Sequence, residues 1–144
     1  MSEKKIIILR APPGVGKSTF VEENLPDEAV VCSADLYFEE LAMLKGTSYA
    51  EEFKPYLVAR AHQWCFGNFI HATMVMEEPC VVIDNTNIRK WEYENYEALG
   101  ELLGYTIDTI TIPFKAELAE EYHARNTHGV PLEVIQRMID EFEA

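Results

Sequence analysis

Cysteine is scarce in this chain: Cys32, Cys65 and Cys80 are the only three, and each sits among apolar neighbours. An odd, small number excludes a disulfide framework and reads as reduced core thiols of a cytoplasmic protein. Long hydrophobic runs are missing as well. Ile6-Ile7-Ile8-Leu9 is typical of the longest, far short of the ~20 residues that cross a bilayer, so no membrane role is expected. Met1-Ser2-Glu3-Lys4-Lys5 leads into a strand-length run rather than a signal-peptide core. Positive charge is the third shortage: 12 Lys and Arg stand against 25 Asp and Glu, for a net charge of −13. That excludes a general nucleic-acid coat, which depends on neutralising phosphates. A site that grips one strand end with two or three placed cations stays open. Repeats, low-complexity tracts and Gly/Ser-rich linkers are lacking too, so residues 1–144 read as one domain with length enough for a real core.

What is present is a rhythm. Residues 5–10 form an apolar run closed by Pro12-Pro13-Gly14, the mark of a strand buried on both faces. A helix is predicted from Lys17 to Asn24-Leu25-Pro26, a short strand over 28–32, and a helix after Ser33 or Asp35. The longest helical pattern covers 50–76, with Phe53, Leu57, Ala61, Trp64, Ala72 and Val75 on one stripe. A third strand follows over 80–83. A helix is then predicted from Asn87 through Trp91 and Tyr96 to Leu103, stopped by Gly104. A fourth strand spans 105–112, and helices over 115–124 and 131–143 flank Asn126-Thr127-His128-Gly129. The expected fold class is α/β: three α/β/α layers around a parallel sheet of four to five strands. Such sheets bind ligands at the carboxyl ends of their strands, where this chain places Lys17-Ser18, Asp35 and Asp84-Asn85-Thr86-Asn87.

Ala11-Pro12-Pro13-Gly14-Val15-Gly16-Lys17-Ser18-Thr19 joins a buried strand to a helix, the context that a phosphate-binding loop requires. Gly14 and Gly16 allow the backbone to curl so that successive N–H groups face inward, and the helix start adds its positive end. Gly14, Val15, Gly16, Lys17, Ser18 and Thr19 are therefore the expected ATP contacts, with Lys17 on the β- and γ-phosphates and the Ser18 hydroxyl on Mg²⁺. Ala11 replaces the usual first glycine, which is tolerable if its φ stays negative.

Four other positions bear on the acceptor. Asp35, just past the second strand, is placed either to take a proton from an attacking hydroxyl or to cap the following helix. Asp84 ends the third strand as an acid orienting Mg²⁺ does, or else starts a turn. Asn85, Thr86 and Asn87 offer donors and acceptors beside the loop. Arg89 with Lys90 is either a grip on a substrate phosphate or a solvated pair. Arg125 heads a polar segment that can fold over ATP, and equally suits a helix C-terminus.

Taken in order, Arg10-Ala-Pro-Pro-Gly-Val-Gly-Lys-Ser-Thr, Ser33-Ala-Asp-Leu-Tyr-Phe, Val82-Ile-Asp-Asn-Thr-Asn and Arg125-Asn-Thr-His-Gly-Val-Pro-Leu-Glu resemble the phage-type polynucleotide 5′-kinase family, and especially its AAA-type ATP-binding relatives. The resemblance spans residues 5 to about 142, and it implies a P-loop NTPase of adenylate-kinase-like type with a short helical lid. It implies that Lys17 and Ser18 serve ATP and Mg²⁺, that Asp35 is the general base, that Asp84 supports the acceptor site, and that Arg125 is the lid arginine. It implies phosphoryl transfer from ATP to the 5′-hydroxyl of a DNA or RNA end. Leu36 stands where the family often has a second Asp, and Phe38 where phage-type enzymes place an arginine for the acceptor's phosphate. Tyr37 or Phe38 could instead stack on a terminal base, or be core residues. Two alternatives therefore remain: a small-molecule or nucleoside kinase on the same scaffold, favoured by the acidic charge and by Phe38, and an ATP-binding interaction module with little transferase activity. The four histidines lack zinc-site spacing; only His128 lies where it could meet the nucleotide. Trp64 and Trp91 read as packing residues.

Overall fold

The computed structural model describes residues 3–144. Its first strand, β1 (Lys5–Arg10), shows why a run of four branched residues is uninterrupted: Ile6 and Ile8 enter one core and Ile7 and Leu9 the other. Both faces of the sheet are covered, so no polar residue can alternate in. The other strands are β2 (Val30–Cys32), β3 (Cys80–Asp84) and β4 (Thr106–Thr111). All pairings are parallel and the spatial order is β2-β3-β1-β4, so the sheet has the four strands expected.

Helix α1 (Lys17–Asn24) covers one face through Phe20 and Val21. Helices α2 (Asp35–Lys45), α4 (Val58–Ile70) and α5 (Glu94–Leu102) cover the other, with Phe38, Cys65, Phe69 and Tyr96 buried among them. Between α2 and α4 lies one turn of helix, α3 (Tyr49–Glu52). The last pair, α6 (Ala119–Arg125) and α7 (Leu132–Glu141), packs around Ile135 and Tyr122 in a cluster of its own that includes Val15 of the glycine loop. This pair and its connection stand where the lid was expected, packed against Val15 of that loop.

Three expectations need correction. The helix predicted over 50–76 is broken at Phe53-Lys54, which are extended, and Pro55 begins a 3₁₀ turn before α4; the residue preceding a proline is pushed out of helical geometry. Its end, residues 71–75, is one π-helical turn, and Val75 is exposed. The helix predicted from Asn87 starts later: Asn87 has φ +49, 90–92 make a 3₁₀ turn, and α5 opens at Glu94. Gly104 does stop that helix, with φ +85 and the Tyr105 N–H returning to the Gly100 carbonyl. Finally, Trp91 is 69% exposed rather than packed, while Trp64 meets the Tyr37 ring edge-on at 5.7 Å.

Candidate phosphate-binding site

The register of the sheet brings the chemistry together. Cys32 lies opposite Ile83 and Leu9 opposite Asp84, so β1, β2 and β3 end side by side. Their next residues are Ala11–Gly16, Ser33–Asp35 and Asn85–Ile88. Thr86 accepts a bond from the Ala11 N–H at 3.0 Å through its carbonyl, tying the loop after β3 to the glycine loop. Ala11 keeps a negative φ and is fully buried, so its methyl group fits as the sequence required.

Gly14 and Gly16 take φ +78 and +118, conformations that side chains rarely adopt. Gly14 has a second reason to be glycine: a Cβ there would lie 2.0 Å from the Tyr122 carbonyl oxygen, because α6 presses on the loop. Around Gly16 the space is open. Gly16 also caps α1 without any side chain, and no acid occupies the first turn, so the leading N–H groups of the helix carry no competing carboxylate. A concave, glycine-lined turn whose helix N-terminus is uncapped fits a phosphate chain.

Lys17 opens α1 and is half-buried. Burial pushes its ammonium below the ordinary lysine range, opposed by the charges of Asp84 and Asp35. Asp84 is pushed upward by burial, with Lys17 opposing and Asp35 adding to the shift. Lys17, Asp84 and Asp35 thus stand within electrostatic reach of one another at the carboxyl ends of β1, β3 and β2. Ser18 and Thr19 are exposed on the first turn of α1. The Ser18 hydroxyl and the Asp84 carboxylate are hard-oxygen donors of the kind Mg²⁺ takes.

Asp35 is the first residue of α2, and it does not cap that helix: the cap position is Ala34, while Ser33 Oγ accepts from the Asp35 N–H at 3.3 Å. Its carboxylate points outward instead. Oδ1 accepts from the Tyr49 hydroxyl at 2.7 Å, and Oδ2 lies 3.4 Å from His128 Nδ1. The imidazole of His128 stacks on the Tyr49 ring at 4.2 Å. Neither contact carries a signal in the sequence: Tyr49 is fourteen positions from Asp35, and His128 arrives from the far end of the chain.

The polar run after β3 divides. Asn85 is buried; its Oδ1 accepts from the Ala34 N–H at 2.9 Å, holding the Asp35 segment against β3. Asn87 is also buried and donates to the Leu9 carbonyl at 2.7 Å. Both amides brace the cleft from behind. Arg89 is exposed and pairs with Glu141 at 3.5 Å, at the end of α7. Arg125 is exposed at the end of α6, with its guanidinium over the Tyr122 ring at 5.5 Å. It stands one helical turn beyond the backbone that touches Gly14. Phe38 is buried among Tyr37, Tyr49 and Phe53, a core residue rather than a stacking surface.

Arg10 has a structural role that its place in the loop motif conceals. It is buried between the rings of Tyr93 and Phe142, 4.6 and 4.3 Å from their centroids. It donates to the carbonyls of Asn87 at 2.9 Å, Ile88 at 3.1 Å and Glu143. One guanidinium thus joins the loop after β3 to the chain following α7.

Comparison with known proteins agrees with this geometry. A family model described as AAA domain matches residues 6–144. NEDD4-binding protein 2 of Homo sapiens is 32% identical over 146 residues, an alignment covering 96% of this chain and 8% of that relative. Among solved structures, one in the Pnkp1/Rnl/Hen1 RNA repair complex matches 98% of this chain and 44% of its own, at TM-score 0.66 and 17% identity. A Chloroflexus aurantiacus j-10-fl protein, a kinase by attribution, matches 94% of this chain and 76% of its own, at TM-score 0.62 and 20% identity. The chain belongs to the AAA domain family and has a kinase-like P-loop fold of three α/β/α layers.

Proposed function

We propose that this AAA domain protein is an ATP-dependent kinase whose acceptor is the 5′-hydroxyl of a DNA or RNA end. The observation that carries the reading is the sheet register that sets the glycine loop with Lys17, Asp84 and Asp35 at the adjacent carboxyl ends of β1, β3 and β2, with the Asp35 carboxylate half-exposed rather than capping its own helix. Nucleotide binding alone needs no free carboxylate there; transfer to a hydroxyl does.

In this reading residues 14–19 cradle the phosphates of ATP, and Lys17 bridges the β- and γ-groups. Ser18 and Asp84 would hold and orient Mg²⁺, which would supply charge neutralisation at the phosphate oxygens. The acceptor oxygen bonds to the γ-phosphorus while the bond from that phosphorus to the β–γ bridging oxygen breaks. The hydroxyl proton passes to Asp35, and ADP leaves. Arg125 closes over the γ-phosphate from the lid. Thr86 and Arg89 border the acceptor side, and Asn85 and Asn87 fix Asp35 and the loop. The Pnkp1/Rnl/Hen1 likeness supports a nucleic-acid end as acceptor. The three free thiols suit a reducing, cytoplasmic setting, and no helix among the described residues is long and apolar enough to cross a membrane.

One observation favours a second reading, a small-molecule or nucleoside acceptor: Phe38 is buried, so its position supplies no cation for a strand phosphate. Labelled ATP offered with 5′-hydroxyl DNA and RNA oligonucleotides, nucleosides and sugars tests both. Label on an oligonucleotide is expected. Label on a nucleoside alone moves the assignment to the second reading, and tight ATP binding without any transfer reduces the protein to an ATP-binding module.

A further inference from the structure

Tyr49 has a shape that packing alone does not require. Its ring is enclosed by Phe38 at 5.7 Å, Phe53 at 5.9 Å and His128 at 4.2 Å, a setting that would suit phenylalanine equally well. The hydroxyl is what differs, and it reaches Oδ1 of Asp35 at 2.7 Å. The local fold is built to hold it there. Gly46, at φ +70, ends α2 and reverses the chain. Ser48 then caps α3 by accepting from the Glu51 N–H at 3.2 Å. Lys45 Nζ and Thr47 Oγ1 both bind Glu52, at 3.0 and 2.7 Å, closing the turn. This one-turn helix is thereby folded back so that its first residue returns to the start of α2.

We propose that Tyr49 is a positioning residue: its hydroxyl fixes the rotamer of Asp35 so that Oδ2 faces the acceptor hydroxyl. The inference rests on Asp35 being the general base. An aspartate χ2 is a broad, soft torsion, and Asp35 has no other side-chain hydrogen bond on Oδ1. With Oδ1 held, Oδ2 is the oxygen left toward the cleft, where His128 now stands. Burial, and then the bond to Asp35, raise the Tyr49 phenol above its ordinary range. The phenol therefore keeps the proton that it donates to Asp35. A misplacement of about 1 Å in a reacting group can cost on the order of a hundredfold in rate, so fixing one torsion is worth measuring.

The test is a double-mutant cycle in kcat for transfer from ATP to a 5′-hydroxyl oligonucleotide. Tyr49→Phe keeps the ring stack and is expected to lower kcat about tenfold with KM for ATP unchanged. In the Asp35→Ala background the same change should have no further effect, since no base remains to be aimed. Wild-type kcat in Tyr49→Phe overturns the positioning role and leaves the kinase reading standing. So does a loss that multiplies with that of Asp35→Ala, or one that appears as lost ATP binding or lost fold, because each marks a structural residue. If Asp35→Ala itself transfers at the wild-type rate, or the wild type transfers nothing, the kinase reading fails and this inference with it.

Discussion

His128 Nδ1 lies 3.4 Å from Oδ2 of Asp35, so the connection between α6 and α7 reaches across to the first turn of α2. Its other ring nitrogen stands 3.4 Å from Glu39 Oε1. Asn126 stiffens the same connection by accepting from the N–H groups of His128 and Val130 at 3.2 and 3.0 Å. Removing the imidazole in His128→Ala should release the connection from α2. Backbone amides of 128–130 are expected to exchange with solvent faster. Global stability should change little, by about 0.5–1 kcal/mol, because the contacts are half-exposed. Unchanged exchange would show that the ring does not hold the lid.

The two loop glycines should respond differently to alanine. Gly14→Ala meets both a positive φ and the Tyr122 carbonyl, so α6 must move. A loss of roughly 2–4 kcal/mol is expected, together with loss of ATP binding. Gly16→Ala meets only the strained φ, in open space, and should cost about 1–2 kcal/mol. Thermal unfolding of the two variants decides the ranking.

Arg10→Lys keeps the charge but loses the fork. A lysine cannot reach the carbonyls of Asn87, Ile88 and Glu143 at once, nor stack flat between two rings. A buried, poorly bonded ammonium should cost about 2–4 kcal/mol in urea unfolding. Proteolysis within the last residues, from Phe142 on, should become easier.

Alkaline pH should weaken the fold. Burial lifts the Cys32 thiol from 9.0 to about 12, and it raises Tyr49 and Tyr96 as well. Each group holds its proton more tightly when folded. The stability it contributes is therefore complete below its unfolded value and declines as pH rises from there towards its folded value. Between about pH 9 and 12, unfolding free energy should fall by about 1.4 kcal/mol per pH unit for each group that deprotonates only on unfolding. Cys32→Val should flatten the part of that decline that begins at pH 9. An unchanged profile would mean that Cys32 is not shielded.

The parts of the fold legible in the sequence were those with one dominant physical cause. The double-sided burial of β1 forces an uninterrupted apolar run, and the glycine loop needs its two glycines in a fixed context. Other features depend on long-range partners that no local pattern encodes. Asn85 and Asn87 read as donors and acceptors beside the loop, and both are buried and bonded to Ala34 and Leu9. Tyr49 stands one residue before the predicted helix over 50–76, and it is the turn at Gly46 that folds α3 back onto Asp35. Pro55 did carry a readable signal, since a proline there bars a continuous helix. Arg10 lay in the loop motif, but its three carbonyl partners lie more than seventy residues away.

Transfer of labelled γ-phosphate from ATP to a 5′-hydroxyl oligonucleotide, measured for the wild type and for Asp35→Ala side by side with ATP affinity, decides whether Asp35 is the general base. Asp35→Ala is expected to bind ATP as the wild type does and to transfer roughly 10²–10⁴-fold more slowly, a rise of about 3–5 kcal/mol in the barrier. Transfer by Asp35→Ala at close to the wild-type rate would contradict that role.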